Sequence, residues 1–403
     1  MTNSVEMDDY RWLVSHAAQP YLDRVAEHGG SMTALAQSLR RELSATRTHL
    51  VLQQIELRRR AAAKFSRSDT LFFTPQLLEQ ATSETVAHYK AKQFPRLQPV
   101  VDLCCGIGGD SISLAQRGPV TSVDCDPVAL LFAEANCQLA ATTQTVRYGH
   151  LFKLARAESY SLEANALWHI DPDRRATGKR TTQLEQFQPS LEFLEQLRQK
   201  HPDGVMKLAP ATILPESWLA EGLREWVGTG RECREQLLWS GDLARKPGSR
   251  QATIVLANGQ AYSIQGTGHE PPPPSIDRPT FLAEPHAVVR AAGLQYALAQ
   301  NLQLQLLDPQ WSLFATQQPP PPDPLLSRFA ILYQLPFDWK ACKRVLRQEQ
   351  FGQLEVKPRG IDLDPSSIAQ RLRVPGSRQA TLFVLRSVCS SCLLIAERLL
   401  VEE

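Results

Sequence analysis

At 403 residues with 43% hydrophobic content, the chain exceeds one ordinary domain and can bury a sizeable core, so two or three domains are expected. A formal net charge of +2 is uninformative about partners for the chain as a whole. The opening MTNSVEMDDY lacks the pattern of a secretory leader, and no run approaches the roughly eighteen apolar residues of a membrane span, so a soluble, cytoplasmic protein is expected. The eight cysteines, at 104, 105, 125, 137, 233, 342, 389 and 392, suit reduced thiols. Only Cys389 and Cys392 form a C-x-x-C; without a second pair they read as helix packing residues, and no metal site is expected.

Residues 9–93 carry helical spacing, as in Leu35, Leu39, Leu43 and Leu50, broken at Gly29-Gly30, and residues 1–95 read as a helical N-terminal domain. Between Ser38 and Arg67 lie eight basic residues (Arg40, Arg41, Arg47, Arg58, Arg59, Arg60, Lys64, Arg67) against Glu42 and Glu56. Such a run is either a solvated helix face or a source of phosphate contacts for nucleic acid. Phe72 and Phe73, followed by Thr74 and a helix over 75–89, stand just ahead of the next domain. One of these aromatics serves as a core anchor, while Phe73 with Thr74 is placed to close over a cofactor.

The stretch 100–130, VVDLCCGIGGDSISLAQRGPVTSVDCDPVAL, organises the rest. An apolar run from Val100 to Cys104 ends in the turn Gly106-Ile107-Gly108-Gly109, and a helix over 110–116 follows. Glycines let the backbone reverse and let a ligand approach closely. A second strand, 120–123, delivers Asp124 eighteen residues after Gly106, a spacing that suits an acid accepting hydrogen bonds from a ribose. A dinucleotide site would need a free helix N-terminus for a pyrophosphate. Here Asp110 occupies that place, which favours a ligand without phosphate and with a cationic part. S-adenosylmethionine has an ammonium, a sulfonium and a ribose, and no phosphate.

A helix over 127–141 and a strand near 144–147 come next, with Gly149-His150 behind it. A fourth strand, 166–170, ends in Asp171-Pro172-Asp173-Arg174-Arg175, so a second chemical site is expected at a strand's carboxyl end. A strand at 204–208, a helix around Trp218 to Trp226, and a hairpin pairing 235–240 with 252–257 complete a domain over 96–268. Two proline runs, 271–274 and 319–322, bracket a connecting segment, 269–325. In the last part, 326–403, strands are expected at 351–356 and 380–386, a helix at 365–372, and a final helix after Arg386. Eleven Lys and Arg against five Asp and Glu between Leu326 and Ala396 make this module locally basic.

Five motifs, LRRRAAAKF at 57–65, FFTPQLLEQAT at 72–82, DLCCGIGGD at 102–110, DPDRR at 171–175 and EVKPRGIDLDP at 355–365, together resemble one bacterial family of class I S-adenosylmethionine-dependent methyltransferases. Its members have a C-terminal domain similar to the THUMP domain of RNA-modifying enzymes, and their catalytic domain is similar to trimethylguanosine synthases. The resemblance covers nearly the whole chain. It implies an α/β, Rossmann-like, mainly parallel seven-stranded sheet with an N-terminal helical domain and a C-terminal α+β THUMP-like domain.

For the cofactor, the resemblance implies a set of Phe73, Thr74, Asp102, Cys104, Cys105, Gly106, Gly108, Asp110, Asp124, Cys125 and His150. The turn would lie against the methionine part, Asp124 would hold the ribose, and His150 would take the adenine-side position. Amine methyltransferases often end the fourth strand in D-P-P and an aromatic. This chain keeps Asp171 and Pro172 and substitutes Asp173-Arg174-Arg175, so Arg174 and Arg175 either stack on a base, bind phosphate, or pair with acids to shape the loop. The implied activity is methylation of RNA at a base nitrogen. The open alternatives are a protein or small-molecule acceptor and a non-catalytic binder. RNA contacts are expected from Lys357, Arg359, Arg371, Arg373 and the basic N-terminal helices.

Overall fold

The structure is a computed structural model describing residues 6–142, 148–174, 181–268, 279–308, 311–386 and 391–400. Six helices open it: α1 (Met7–Leu13), α2 (Gln19–Ala26), α3 (Met32–Leu39), α4 (Ala45–Ala61), α5 (Pro75–Gln80) and α6 (Glu84–Gln93). An alternating stretch follows, with β1 (Val100–Leu103), α7 (Gly109–Leu114), β2 (Val120–Asp124), α8 (Pro127–Ala141), β3 (His150–Leu154), β4 (Leu167–Ile170), α9 (Leu191–Lys200), β5 (Gly204–Leu208) and α10 (Glu216–Glu221). Next come β6 (Leu223–Thr229), β7 (Glu232–Ser240), β8 (Arg250–Val255), β9 (Ala261–Gly266), β10 (Phe281–Pro285), α11 (Ala287–Ala292), α12 (Gln295–Asn301), β11 (Gln305–Asp308) and β12 (Leu313–Thr316). The last are β13 (Leu326–Pro336), α13 (Trp339–Gln348), β14 (Gln353–Arg359), α14 (Pro365–Leu372), β15 (Gln379–Arg386) and β16 (Ser391–Leu399).

Two compact units result, the first from Met1–Arg224, Glu235–Gly248 and Val255–Ala261, the second from Glu225–Arg234, Ser249–Ile254 and Tyr262–Glu403. In the first, β1 pairs in parallel with β2 and β4, β2 with β3, and β4 with β5, while β7 runs antiparallel to β5. The strands β1, β4 and β5 are buried along their whole length, which is why VVDL, LWHI and GVMKL are nearly continuous apolar runs rather than alternating ones. The order β3-β2-β1-β4-β5 reverses between β1 and β4, the place where open parallel sheets bind ligands. Side-chain caps set helix starts: Ser44 accepts from the Arg47 N–H at α4 and Asp126 from the Val128 N–H at α8. The N-terminal helices bury Leu13, Leu22, Leu39, Val51 and Ile55 in one core with Phe72, Phe73 and Phe132.

Two expectations for this stretch change, and a third lies outside the described residues. The strand expected near 144–147 falls on 143–147, outside the described residues, and the third described strand is β3, with His150 as its first residue. The helix around Trp218 stops at Glu221, and Trp226 lies in β6. Strand β8 sits between β6 and β9, so 252–257 does not pair with 235–240.

The second unit is built on a seven-stranded sheet of order β11-β12-β10-β13-β16-β15-β14, parallel only between β14 and β15. The segment 269–325, expected to connect, instead supplies β10, β11, β12, α11 and α12 where it is described. The proline runs at its ends conceal apolar residues between them, and Leu282, Leu313 and Ala315 are fully buried in this sheet's core. The final helix is also corrected. β16 pairs with both β13 and β15, and its central Leu393–Ala396 is buried. A short apolar run does not distinguish helix from buried strand, and here the two neighbouring strands decide. Cys392 is therefore a strand residue, and Cys389 lies outside the described residues.

Candidate cofactor cleft

A cavity of about 450 Å³ opens in the first unit at the carboxyl ends of β1, β2 and β4. Its floor is the turn after β1, Cys104 to Ile107 with Gly109, together with Asp124 to Asp126 after β2 and Asp171 to Arg174 after β4. Gln76 to Thr82 around the end of α5, Ala155 to Glu158 after β3, and Phe187 to Ser190 complete the lining. The turn demands unusual backbone: Cys104, Gly106 and Gly108 lie at φ +57°, +55° and +80°. A side chain at Gly106 would meet nothing within 4 Å, whereas one at Gly108 would press on Ala133 and Cys137 of α8. Gly106 thus leaves room for a ligand, and Gly108 lets the turn pack.

Asp124 is pre-set by two backbone donors, the Gly106 N–H to Oδ2 at 2.9 Å and the Asp126 N–H to Oδ1 at 2.9 Å. Each oxygen keeps a second lone pair for a ligand hydroxyl. Burial raises its pKa, and these two hydrogen bonds oppose the rise. Burial also pushes the Cys104 and Cys105 thiols well above their ordinary value, so neither is a thiolate nucleophile at neutral pH.

Beneath the cleft lies a cluster of buried charge. Lys90 of α6 is 1% exposed and places Nζ 2.7 Å from Asp110 and 3.1 Å from Glu235. Burial works against its ammonium, yet Asp110 and Glu235 hold it above the usual lysine range; Asp110, against its own burial, is held below the usual carboxylate range by Lys90 and then His169. Thr82 donates to the other Asp110 oxygen at 2.8 Å. Asp102 is fully buried, bonded to His169 Nδ1 at 2.7 Å and to the Ser111 hydroxyl. On the acceptor side, Lys207 of β5 donates to Asp171 Oδ2 and, at 3.1 Å, to the Gln80 carbonyl, while the Gln80 amide donates to Asp173 at 3.1 Å.

The cleft gathers Asp102, Cys104, Cys105, Gly106, Asp110, Asp124, Cys125, Asp171, Pro172 and Arg174. Four expected residues stand elsewhere. Phe73 is fully buried in the helical core, clamped by Gln54 through its N–H and carbonyl, and Phe72 is held likewise by Asn136, so both aromatics are core anchors. Thr74 caps α5 through the Leu77 N–H, and Gly108 packs behind the turn. His150 bonds Ser122 at 2.8 Å and stacks on Phe152; because β3 starts at His150, the cleft position after the strand passes to Arg156 and Glu158. Arg175 lies outside the described residues. The partner of Asp171 is Lys207 rather than Arg174, and Lys207 was missed because it sits inside the apolar run of β5. Lys90 was missed too: a single lysine among polar helix residues carries no sign of burial.

Several basic residues expected to meet RNA are engaged internally. Arg58 donates to the Leu71 and Thr70 carbonyls, Lys64 to the carbonyls of Leu78, Glu79 and Ala81, and Arg67 to that of Leu139. In the second unit Lys357 and Arg359 both bind Glu284, while Arg371 and Arg373 are exposed around the end of α14. Among the described residues no group of His, Cys, Asp and Glu is arranged to hold a metal ion, and no helix is long and apolar enough to cross a membrane.

A parallel sheet with a glycine turn and an acid at adjacent strand ends defines a nucleoside-binding α/β protein, and comparison with known proteins narrows that class. The chain is 32% identical over 343 residues, 82% of its length and 90% of the relative's, to an uncharacterized S-adenosylmethionine-dependent methyltransferase of Mycobacterium tuberculosis strain CDC 1551 / Oshkosh. A counterpart in strain ATCC 25618 / H37Rv matches with the same identity and coverage. The chain belongs to the S-adenosylmethionine-dependent methyltransferases, and S-adenosylmethionine is its cofactor. Residues 326–398 match the THUMP domain-like family, and residues 6–61 match a domain of unknown function. A crystal structure from Porphyromonas gingivalis W83, provisionally named a methyltransferase, shares the fold with a TM-score of 0.72 and 18% identity, over 97% of each chain.

Proposed function

We propose that this cytoplasmic enzyme methylates RNA at a base nitrogen, with the cleft of the first unit holding the cofactor and Asp171 orienting the acceptor. The observation that carries the RNA reading is the THUMP domain-like match over 326–398, in the module where basic residues exceed acidic ones. We take the first unit as the catalytic part and the second unit, which includes 326–403, as the part that meets RNA. Exposed Lys340, Arg344 and Arg347 of α13, with Arg371 and Arg373, are the cations that this module offers to phosphates.

The residues of the cleft fit S-adenosylmethionine. Gly106 leaves space where any other residue would place a side chain, Asp124 has lone pairs for ribose hydroxyls, and acids outnumber cations along the lining, which suits a cationic ligand. When bound, the cofactor supplies a methyl group on positively charged sulfur. The protein's part is alignment and exclusion of water. Asp171 Oδ2 is held by Lys207, which fixes the carboxylate and leaves Oδ1 to accept the acceptor N–H. Gln80 accepts from Lys207 through its backbone carbonyl and donates to Asp173 through its side-chain amide, so the loop after β4 is braced against the end of α5. Arg174, at the rim, is placed to stack on a base or meet a phosphate.

The test is transfer of a labelled methyl group from S-adenosylmethionine into RNA of cells lacking the enzyme, beside total protein and metabolite fractions of the same cells. Label in RNA supports the reading. Label confined to protein or metabolites replaces it.

A further inference from the structure

Among the described residues, the second unit contains a cation cluster that the acids paired with it do not balance. Glu284, at the end of β10, has a side chain 7% exposed and receives Lys357 at 2.5 Å and Arg359 from β14, with Arg290 of α11 at 3.9 Å. Glu355, two residues before Lys357 and on the same face of β14, receives Arg398 at 3.0 Å, Arg231 at 3.3 Å and Lys357 at 3.5 Å. The turn bearing Arg231 is fixed beside β10 by a 2.9 Å hydrogen bond between His286 Nε2 and the Gly230 carbonyl. Among the described residues, five cations therefore share two carboxylates. Burial works against both acids, yet Lys357, with Arg359 and Arg290 around Glu284 and with Arg398 and Arg231 around Glu355, holds them below their ordinary range. They remain anionic at neutral pH, and the excess positive charge is real.

Ordinary structural roles do not account for this excess. A lysine that guards a sheet edge points into water, whereas Lys357, on the edge strand β14, turns inward with a side chain 17% exposed. A salt-bridge network that served stability would approach charge balance, because unmatched cations at these separations repel one another. Arg359 and Arg398 are 20% and 22% exposed, while Arg290 and Arg231 are 42% and 70% exposed, so the excess charge ends in two reachable guanidiniums. Arg398 and Lys357 both lie over the Phe329 ring, which holds them in place. Guanidinium groups held in a fixed array match the oxygens of a phosphate.

We infer that the Glu284–Glu355 cation cluster binds a backbone phosphate of the RNA acceptor, with Arg231 and Arg290 making the contact and Lys357, Arg359 and Arg398 supplying the field. This rests on the RNA reading above. The two carboxylates hold the cations in place and set how tightly the phosphate is held.

The experiment compares binding of total tRNA and of ribosomal RNA, across salt concentrations, for the wild-type protein, Arg231→Gln/Arg290→Gln and Glu355→Gln, with S-adenosylhomocysteine affinity as the folding control. The double variant should bind about tenfold more weakly and lose about 0.7–0.9 from the slope of log affinity against log salt, the change expected for one phosphate contact. Glu355→Gln should bind more tightly with a steeper slope, an increase that a purely structural role would not produce. Wild-type slopes in both variants, with normal cofactor affinity, overturn the site and leave the RNA reading standing. No binding of either tRNA or ribosomal RNA by the wild-type protein overturns both. In that case a thermal midpoint raised by inorganic pyrophosphate in the wild type and not in the double variant assigns the cluster to a free phosphate compound.

Discussion

The two units treat buried charge in mirror fashion. Beneath the cleft, Lys90 is surrounded by Asp110 and Glu235, Lys207 pairs with Asp171, and among the described residues acids outnumber cations along the lining. In the second unit the buried acid Glu284 is surrounded by Lys357, Arg359 and Arg290. Each cluster has a well-paired centre and an unbalanced margin, and the sign of the margin differs. An acidic margin suits a ligand carrying an ammonium and a sulfonium, whereas a cationic margin suits a phosphate. The chain's net charge of +2 conceals this division completely.

The largest expected effect comes from breaking the paired centre of the first unit. Lys90→Met strands two buried carboxylates, and urea unfolding should show a loss of about 3–5 kcal/mol, as when one partner of a buried ion pair is removed. A loss below 1 kcal/mol would mean that water already reaches Asp110 and Glu235. The next effect is a pH dependence of the same unit. Burial lowers the pKa of His150 from 6.5 to about 4, so its folded state resists protonation. Its contribution is fully present above pH 6.5 and is lost as pH falls toward 4, on the order of 3 kcal/mol. His150→Asn should flatten that part of the stability curve, and an unchanged acid limb would assign the loss to other groups.

Smaller effects test what each margin does. Asp171→Asn should slow single-turnover methyl transfer by roughly tenfold, about 1.4 kcal/mol, with cofactor affinity unchanged. Lys207→Met should act in the same direction and Lys207→Arg should recover much of the rate; unchanged rates in folded variants would retire the pair from the chemistry. The smallest effect is expected from Arg371→Gln/Arg373→Gln, whose exposed cations should each contribute no more than about 1 kcal/mol to RNA affinity at moderate salt. A larger loss there would shift the phosphate contact from the Glu284 cluster to the helix face.

The cleft was largely legible in the sequence, because the turn at 104–109 and the acids at 124 and 171 mark strand ends, and strand ends in a parallel sheet converge. Residues that complete the site from a distance carried no such mark. Lys207 lies in an apolar run, Lys90 in an ordinary helix, and Gln80 reaches the loop after β4 only through the fold. Phe73 misled because an aromatic before a cofactor motif has the same composition whether it closes a cleft or anchors a core. Lys357 and Arg359 misled in the opposite way: their charge was visible, but Glu284, some seventy residues earlier, was not readable as their partner. Short apolar strands such as β16 resemble helix until their neighbours are known.

The central claim, that the cleft beside Asp124 is the cofactor site, is tested most directly by calorimetric titration of the wild-type protein and Asp124→Ala with S-adenosylmethionine. The account predicts one site per chain in the wild type and a loss of about 1.5–3 kcal/mol in the variant, the range of a hydrogen bond to a charged group. Wild-type affinity in a folded Asp124→Ala protein would place the cofactor elsewhere and contradict it.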